Sequence, residues 1–92
     1  MSVVSKTIKY LLDKNISVST AESCTGGLLA AEFTAVSGIS KIYKTGLITY
    51  SNDSKIKNLK VKSSTIKRYG AVSRQVCAQM CLHLHKISKS QL

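Results

Sequence analysis

The chain has 92 residues, of which 43% are hydrophobic and 20% are charged. This length supports one domain with a small core, and this composition excludes a disordered tail and a collagen-like fibre. The net charge of +10 attracts anions, and no apolar run approaches the roughly 20 residues that would span a bilayer.

The first half of the chain alternates helix and strand patterns. Apolar residues recur at helical spacing over residues 3–14 and predict an amphipathic helix. Residues 16–21, ISVSTA, are short, β-branched and alternating, which predicts a strand. The run LLAAEFTAV is rich in helix formers and stops before Ser37-Gly38, so a helix is expected over residues 25–36.

The second half repeats the order of strand, cap and helix. GLITY, residues 46–50, predicts a strand, and Ser51-Asn52-Asp53 supplies cap-type side chains for a helix through Leu59. Ser63-Ser64 is expected to cap a short helix to Arg68. A last helix is expected from Ser73, and its apolar face comprises Val76, Cys77, Met80, Leu84 and Ile87.

The alternation of helices with short apolar strands predicts an α/β layer fold with a mostly parallel sheet. Two strands are fewer than the three that a stable covered sheet normally needs. We therefore expect a partial domain over residues 1–92 that lacks its C-terminal part. The N-terminus lacks the cleavage site of a signal peptide, and three cysteines without framework spacing predict reduced thiols, so a cytoplasmic location is expected.

The stretch AESCTGG, residues 21–27, places Ser23 where a strand runs into a helix. That position lies at the carboxyl edge of the sheet, where open α/β folds bind their ligands. The helix start and the bare backbone of Gly26 and Gly27 suit a phosphate or a developing oxyanion. The alternative is structural: Ser23 or Thr25 is an ordinary helix N-cap. Glu22 is expected to accept hydrogen bonds that hold the turn.

The second junction, YSNDSK over residues 50–55, places Lys55 near the first turn of a helix. The positive end of the helix dipole disfavours a charged ammonium there, and a neutral lysine is a base. A lysine can activate a serine nucleophile, and the hydroxyl of Tyr50 could relay the proton or donate to the oxyanion. The alternative is one more surface lysine in a basic chain.

Other candidate groups have weaker support. Cys24 beside the helix start is a rival nucleophile without an evident base. Cys77 and Cys81 share a helix face but lack further ligands, which predicts buried core thiols and no metal site. The scattered lysines and few aromatics do not form a base-stacking platform, so nucleic acid is not expected as the primary partner, although an anion-binding module remains an alternative.

Three blocks, AESCTGG, GLITYSNDSK (residues 46–55) and YGAVS (residues 69–73), together resemble the C-terminal domain of the CinA (competence-damage-inducible) family, which includes nicotinamide-nucleotide amidases. The resemblance implies a three-layer α/β/α domain that hydrolyses nicotinamide mononucleotide to nicotinate mononucleotide and ammonia, with no metal or cofactor. It assigns the nucleophile to Ser23 and its activation to Tyr50 and Lys55. It places substrate contacts at Thr25, Gly26, Gly27 and Asn52.

The resemblance covers residues 1 to about 82, after which MCLHLHKISKSQL departs from the family pattern. Three interpretations follow from it. The chain is an inactive remnant, it pairs with a complementary C-terminal half or with another copy, or it is a shortened enzyme that acts on a nucleotide. A membrane is not an expected partner in any of them.

Overall fold

The computed structural model describes residues 2–92, which form five α-helices, one short 3-10 helix and two strands. In chain order these are α1 (Val3–Asp13), β1 (Val18–Glu22), α2 (Leu28–Thr34), the 3-10 helix (Ile39–Lys41), β2 (Tyr43–Ile48), α3 (Asn52–Leu59), α4 (Ser63–Tyr69) and α5 (Arg74–Ser88). The predicted alternation of helices and strands is therefore confirmed.

Serine caps explain where three helices begin. The hydroxyl oxygens of Ser2, Ser51 and Ser73 accept hydrogen bonds from main-chain N–H groups at the starts of α1, α3 and α5. Each bond satisfies one of the donors that a helix start leaves unpaired. The cap predicted for α4, Ser63-Ser64, was wrong. The N-cap of this helix is Lys62, which makes no side-chain capping bond.

The two strands are parallel and are paired from Val18 with Tyr43 to Glu22 with Ile48. The bounds predicted from sequence, residues 16–21 and 46–50, are displaced by one to three residues. Tertiary contacts account for the earlier start of β2: the Tyr43 ring stacks on Phe33 at 5.4 Å, and its hydroxyl hydrogen-bonds Thr20. Both strands end at the same edge, so the residues after Glu22 and Ile48 lie side by side.

Two hydrophobic clusters cover opposite faces of the sheet. Successive side chains of a strand point to opposite faces, and Val18 belongs to one cluster while Ala21 packs against the other. The first cluster contains Ile8, Leu11, Val18, Phe33, Ile39 and Ile42, and the second contains Leu59, Val61, Val76, Met80 and Leu84. Helices therefore cover both faces, which is the α/β/α layering expected.

Helix α5 buries a narrower face than the sequence pattern predicted. Val76, Met80 and Leu84 are buried, whereas Ile87 is exposed. The prediction of buried core thiols was wrong, because Cys77 and Cys81 are both exposed free cysteines. Cys77 and Cys81 share one side of α5, as their i, i+4 spacing predicts. The side that faces the core is a different one and contains Val76 and Met80.

After α5 the chain returns to the sheet. The N–H of Leu92 donates to the Ser17 carbonyl at 3.0 Å, and the Ser19 N–H donates to the Leu92 carbonyl at 2.9 Å. Leu92 is thus aligned with β1 on the edge opposite β2. None of the helices within residues 2–92 is both long and apolar enough to cross a membrane.

Candidate active site

A serine and a lysine from the two strand-to-helix junctions meet at the carboxyl edge of the sheet. Ser23 directly follows β1, and Lys55 lies in the first turns of α3. The Lys55 Nζ donates to the Ser23 Oγ at 2.9 Å. Residues 32 positions apart in the chain are thereby brought into direct contact.

Lys55 is a buried side chain with neutral partners. It is 3% exposed, and its Nζ also donates to the main-chain carbonyl of Tyr50 at 2.9 Å. Within residues 2–92, the single ion pair joins Lys57 to Asp53 at the surface, where the Lys57 side chain is 72% exposed. Lys55 is therefore not the ordinary surface lysine that the sequence left as an alternative.

Tyr50 contributes to this contact through its main chain. Its carbonyl accepts from Lys55 and also from the Ser23 hydroxyl at 3.5 Å, while the residue as a whole is 70% exposed. The carbonyl thus orients both the amine and the hydroxyl. The sequence pattern indicated a role for the Tyr50 phenol. In the structure it is the main-chain carbonyl of Tyr50 that contacts Ser23 and Lys55.

The carboxylate of Glu22 holds the turn that follows β1, as expected. Its oxygens accept hydrogen bonds from the Thr25 hydroxyl at 2.8 Å and from the N–H groups of Gly27, Leu29 and Ala30 at 3.2, 2.8 and 3.0 Å. Burial acts to raise the pKa of Glu22, but these hydrogen bonds outweigh it and lower the pKa below its ordinary value. Glu22 therefore stays ionised while buried.

This use of Glu22 changes how α2 begins. The helix was expected over residues 25–36 with Ser23 or Thr25 as its cap, but it starts at Leu28 with Gly27 as the N-cap. Gly26 and Gly27 have φ angles of 61° and 105°, in the region that favours glycine. Neither Ser23 nor Thr25 caps the helix, so the purely structural explanation of Ser23 was wrong.

The other proposed substrate contacts belong to the same two junctions, after β1 and at the start of α3. Thr25 and Gly26 are exposed after β1, and Asn52 is exposed at the first position of α3. The Gly27 N–H is bonded to Glu22.

A cleft of about 240 Å³ opens beside the Ser23 hydroxyl. One wall consists of the turn after β1 together with Lys55, and the other includes residues 71–73 and Cys77 from the start of α5. No role was predicted from sequence for this second wall, although the YGAVS block ends in it. Cys24 lines the cleft as an exposed thiol beside Ser23.

Within residues 2–92, no group of three or more His, Cys, Asp or Glu side chains is placed to hold a metal ion. The arrangement instead presents a hydroxyl, a buried amine and a small cleft. Together they can support nucleophilic chemistry by the hydroxyl with the amine as its proton acceptor.

The fold and the site thus define an α/β domain in which a buried lysine contacts a serine at the carboxyl edge of a parallel sheet. The family model of the CinA C-terminal domain matches residues 1–92. The chain belongs to this family.

Relatives and solved structures agree with this assignment. The chain is 50% identical over 84 residues to a putative competence-damage inducible protein of Clostridium novyi, and 46% identical over 84 residues to one of Acetivibrio thermocellus. Each match covers 91% of this chain and 20% of the relative. The chain therefore spans about a fifth of the length of these relatives.

Two solved structures show the same backbone. The competence/damage inducible protein CihA from Agrobacterium tumefaciens superimposes with a TM-score of 0.89 at 36% identity, over 98% of this chain and 59% of that chain. A CinA superfamily protein from Escherichia coli gives a TM-score of 0.87 at 33% identity, over 95% of this chain and 51% of that chain. The chain matches about half of each solved protein.

Proposed function

We propose that the chain carries the serine–lysine centre of a nicotinamide-nucleotide amidase, which hydrolyses nicotinamide mononucleotide to nicotinate mononucleotide and ammonia. The observation that carries this proposal is the 2.9 Å contact between the Lys55 Nζ and the Ser23 Oγ. The substrate comes from the resemblance of the three sequence blocks to the CinA family. The net charge of +10 supports it, because such a field attracts the phosphate of a nucleotide.

The first half of the reaction transfers the acyl group to the enzyme. When its amine is unprotonated, Lys55 can take the proton of the Ser23 hydroxyl, and the Oγ attacks the carboxamide carbon of the substrate. The tetrahedral intermediate collapses as Lys55 returns that proton to the amide nitrogen. The carbon–nitrogen bond breaks, ammonia leaves, and an ester joins the nicotinoyl group to Ser23.

The second half restores the serine. Lys55 takes a proton from a water molecule, and the resulting hydroxide attacks the ester carbon. The carbon–oxygen bond to Ser23 breaks, the Ser23 oxygen recovers the proton from Lys55, and the carboxylic acid leaves and ionises. The Tyr50 carbonyl holds the amine toward Ser23 in both halves. Glu22 keeps the turn that carries Ser23 in place.

Ammonia release from nicotinamide mononucleotide tests this proposal. We expect Ser23→Ala and Lys55→Met to lower the rate by about 10³-fold or more, because each removes a group that touches the reacting atoms. Lys57→Met is the matched control, since Lys57 lies on the same helix but is exposed and paired with Asp53. Its rate should stay within about twofold of the wild type.

Circular dichroism would establish that each variant is folded before its rate is interpreted. A folded wild-type chain that releases no ammonia would contradict the proposal, and so would a Ser23→Ala variant with the wild-type rate. The alternative, an anion-binding module, predicts that affinity for polyanions falls steeply with salt and is indifferent to both substitutions.

A further inference from the structure

Two of the three cysteines of the chain share the candidate active-site cleft. Cys24 belongs to the turn that carries Ser23, and Cys77 belongs to the first turns of α5. Both are exposed free thiols, and both line the cleft of about 240 Å³ beside the Ser23 hydroxyl. Neither thiol has a role in the proposed reaction. The cleft therefore holds two nucleophilic groups besides the serine.

Hydrogen bonds hold the two walls that carry these thiols. In the wall that contains Cys24, the Gly26 N–H donates to the Ser23 carbonyl at 3.0 Å and closes the turn. In the other wall, the Cys77 N–H donates to the Ser73 carbonyl at 3.0 Å, and the Ser73 side chain caps α5. Main-chain hydrogen bonds on both sides therefore keep the two cysteines at the cleft.

The volume of the cleft and the charge of the chain limit what can react with these thiols. A volume of about 240 Å³ is below the roughly 300–1,000 Å³ of pockets that hold a drug-sized ligand, so the cleft has room for one small group. The net charge of +10 attracts anions. A small anionic reagent therefore suits this cleft better than a large or cationic one.

We propose that Cys24 and Cys77 make this cleft a site of reversible thiol modification by a small anionic disulfide. One mixed disulfide, on either cysteine, fills the cleft and closes the Ser23 hydroxyl to substrate. The loss of ammonia release rests on the proposed function, whereas the formation of the mixed disulfide does not.

The modification is a thiol–disulfide exchange. The thiolate of Cys24 or Cys77 attacks one sulfur of the disulfide, and a new sulfur–sulfur bond forms as the old one breaks. The departing thiolate takes the electron pair of the broken bond and then a proton from water. The cysteine sulfur is oxidised, and the released thiol is the reduced product. An added thiol reverses the reaction by the same exchange.

A bis(nitrobenzoate) disulfide, a dianion whose released thiolate absorbs visible light, tests the proposal. Cys81→Ser isolates the cleft, because Cys81 is exposed on the same helix as Cys77 but does not line the cleft. We expect this folded variant to take up one adduct per chain, divided between Cys24 and Cys77 in peptide mass spectrometry. A single group leaves no room for a second, so the remaining thiol should react only after the chain is unfolded in denaturant.

Ammonia release from nicotinamide mononucleotide gives the second measurement. Modified Cys81→Ser should release ammonia at least about tenfold more slowly than the same variant untreated, and a dithiol reductant should restore the rate. The matched control is the double variant Cys24→Ser/Cys77→Ser, which keeps Cys81 alone. It should also take up one adduct, but its rate should stay within about twofold of its own untreated rate.

Three results would overturn the proposal, once circular dichroism has established that the modified chain is folded. One is the absence of an adduct on both Cys24 and Cys77, and another is two adducts on the folded Cys81→Ser chain, since the thiols would then not share one cleft. The third is an unchanged rate of ammonia release from the singly modified chain. An unmodified chain that releases no ammonia would contradict the proposed reaction, while the number of adducts would still decide whether the two thiols share the cleft.

Discussion

The two strand-to-helix junctions that meet at the candidate active site are built differently. After β2, Ser51 caps α3 through its side chain and the helix begins in the ordinary way. After β1, the start of α2 is held by Glu22, a residue of the strand itself, and two glycines in left-handed conformations carry the chain round to Leu28.

The difference shows how a serine at a helix start can escape the capping role. Because Glu22 accepts hydrogen bonds from the first N–H groups of α2, the Ser23 hydroxyl is not needed there. It points instead to the Tyr50 carbonyl and Lys55. The junction after β2, with its ordinary serine cap, supplies the buried Lys55, and the junction after β1 supplies the Ser23 hydroxyl.

Among substitutions at the two junctions, Glu22→Gln should have the largest effect on stability. The substitution removes a buried charge that accepts four hydrogen bonds, and we expect it to lower the free energy of unfolding by about 2–3 kcal/mol at neutral pH. Urea titration would measure this. Glu32→Gln is the control, since it changes the same charge at an exposed position of α2 and should change stability by less than about 0.5 kcal/mol.

The same carboxylate predicts a pH dependence. The pKa of Glu22 is lower in the folded chain than its ordinary value, so its contribution is fully present above the ordinary pKa and is lost as the pH falls through the folded pKa. The stability difference between wild type and Glu22→Gln should therefore shrink in acid. A difference that is constant or grows as the pH falls would contradict this account of the turn.

Gly27→Ala should have the next largest effect. At a φ of 105° an alanine is strained, and its Cβ would lie 3.0 Å from the Ile48 Cδ1. We expect a loss of about 2 kcal/mol by thermal or urea unfolding. Gly26→Ala is the comparison: its φ is 61°, nothing lies within 4 Å of the new Cβ, and about 1 kcal/mol is expected. Equal costs at both positions would show that the Ile48 contact is unimportant.

Ser51→Ala should have the smallest of these effects. It removes the hydrogen bond from the Ser54 N–H at the start of α3, and such a cap contributes about 1 kcal/mol. Stability should fall by that amount, with Ser63→Ala, which makes no capping bond, as a neutral control. A loss as large as that of Glu22→Gln would mean that the two junctions do not differ as described.

The sequence predicted the order of elements well because the helices carry clear periodicity and serine caps. It also predicted that Ser23 and Lys55 lie at one edge, since both follow parallel strands. The limits of β1 and β2 were less accurate, because the stacking of Tyr43 on Phe33 depends on residues that are distant in the chain.

The errors at the site have a common physical origin. The local pattern indicated that Ser23 or Thr25 could cap α2. The carboxylate of Glu22, in the preceding strand, instead accepts the hydrogen bonds from the N–H groups at this helix start. The exposure of Cys77 and Cys81 depends on how α5 is rotated against the second cluster, which helical spacing alone does not determine. The wall formed by residues 71–73 carries no chemically distinctive side chain.

Covalent labelling tests the central claim most directly. The folded chain would be treated with a serine-directed organophosphorus probe, and the modified residue would be located by peptide mass spectrometry. We expect an adduct on Ser23 that is lost in Lys55→Met and retained in Lys57→Met. An unlabelled Ser23 in the folded chain, an adduct on Cys24 instead, or labelling of Ser23 that does not depend on Lys55 would contradict it.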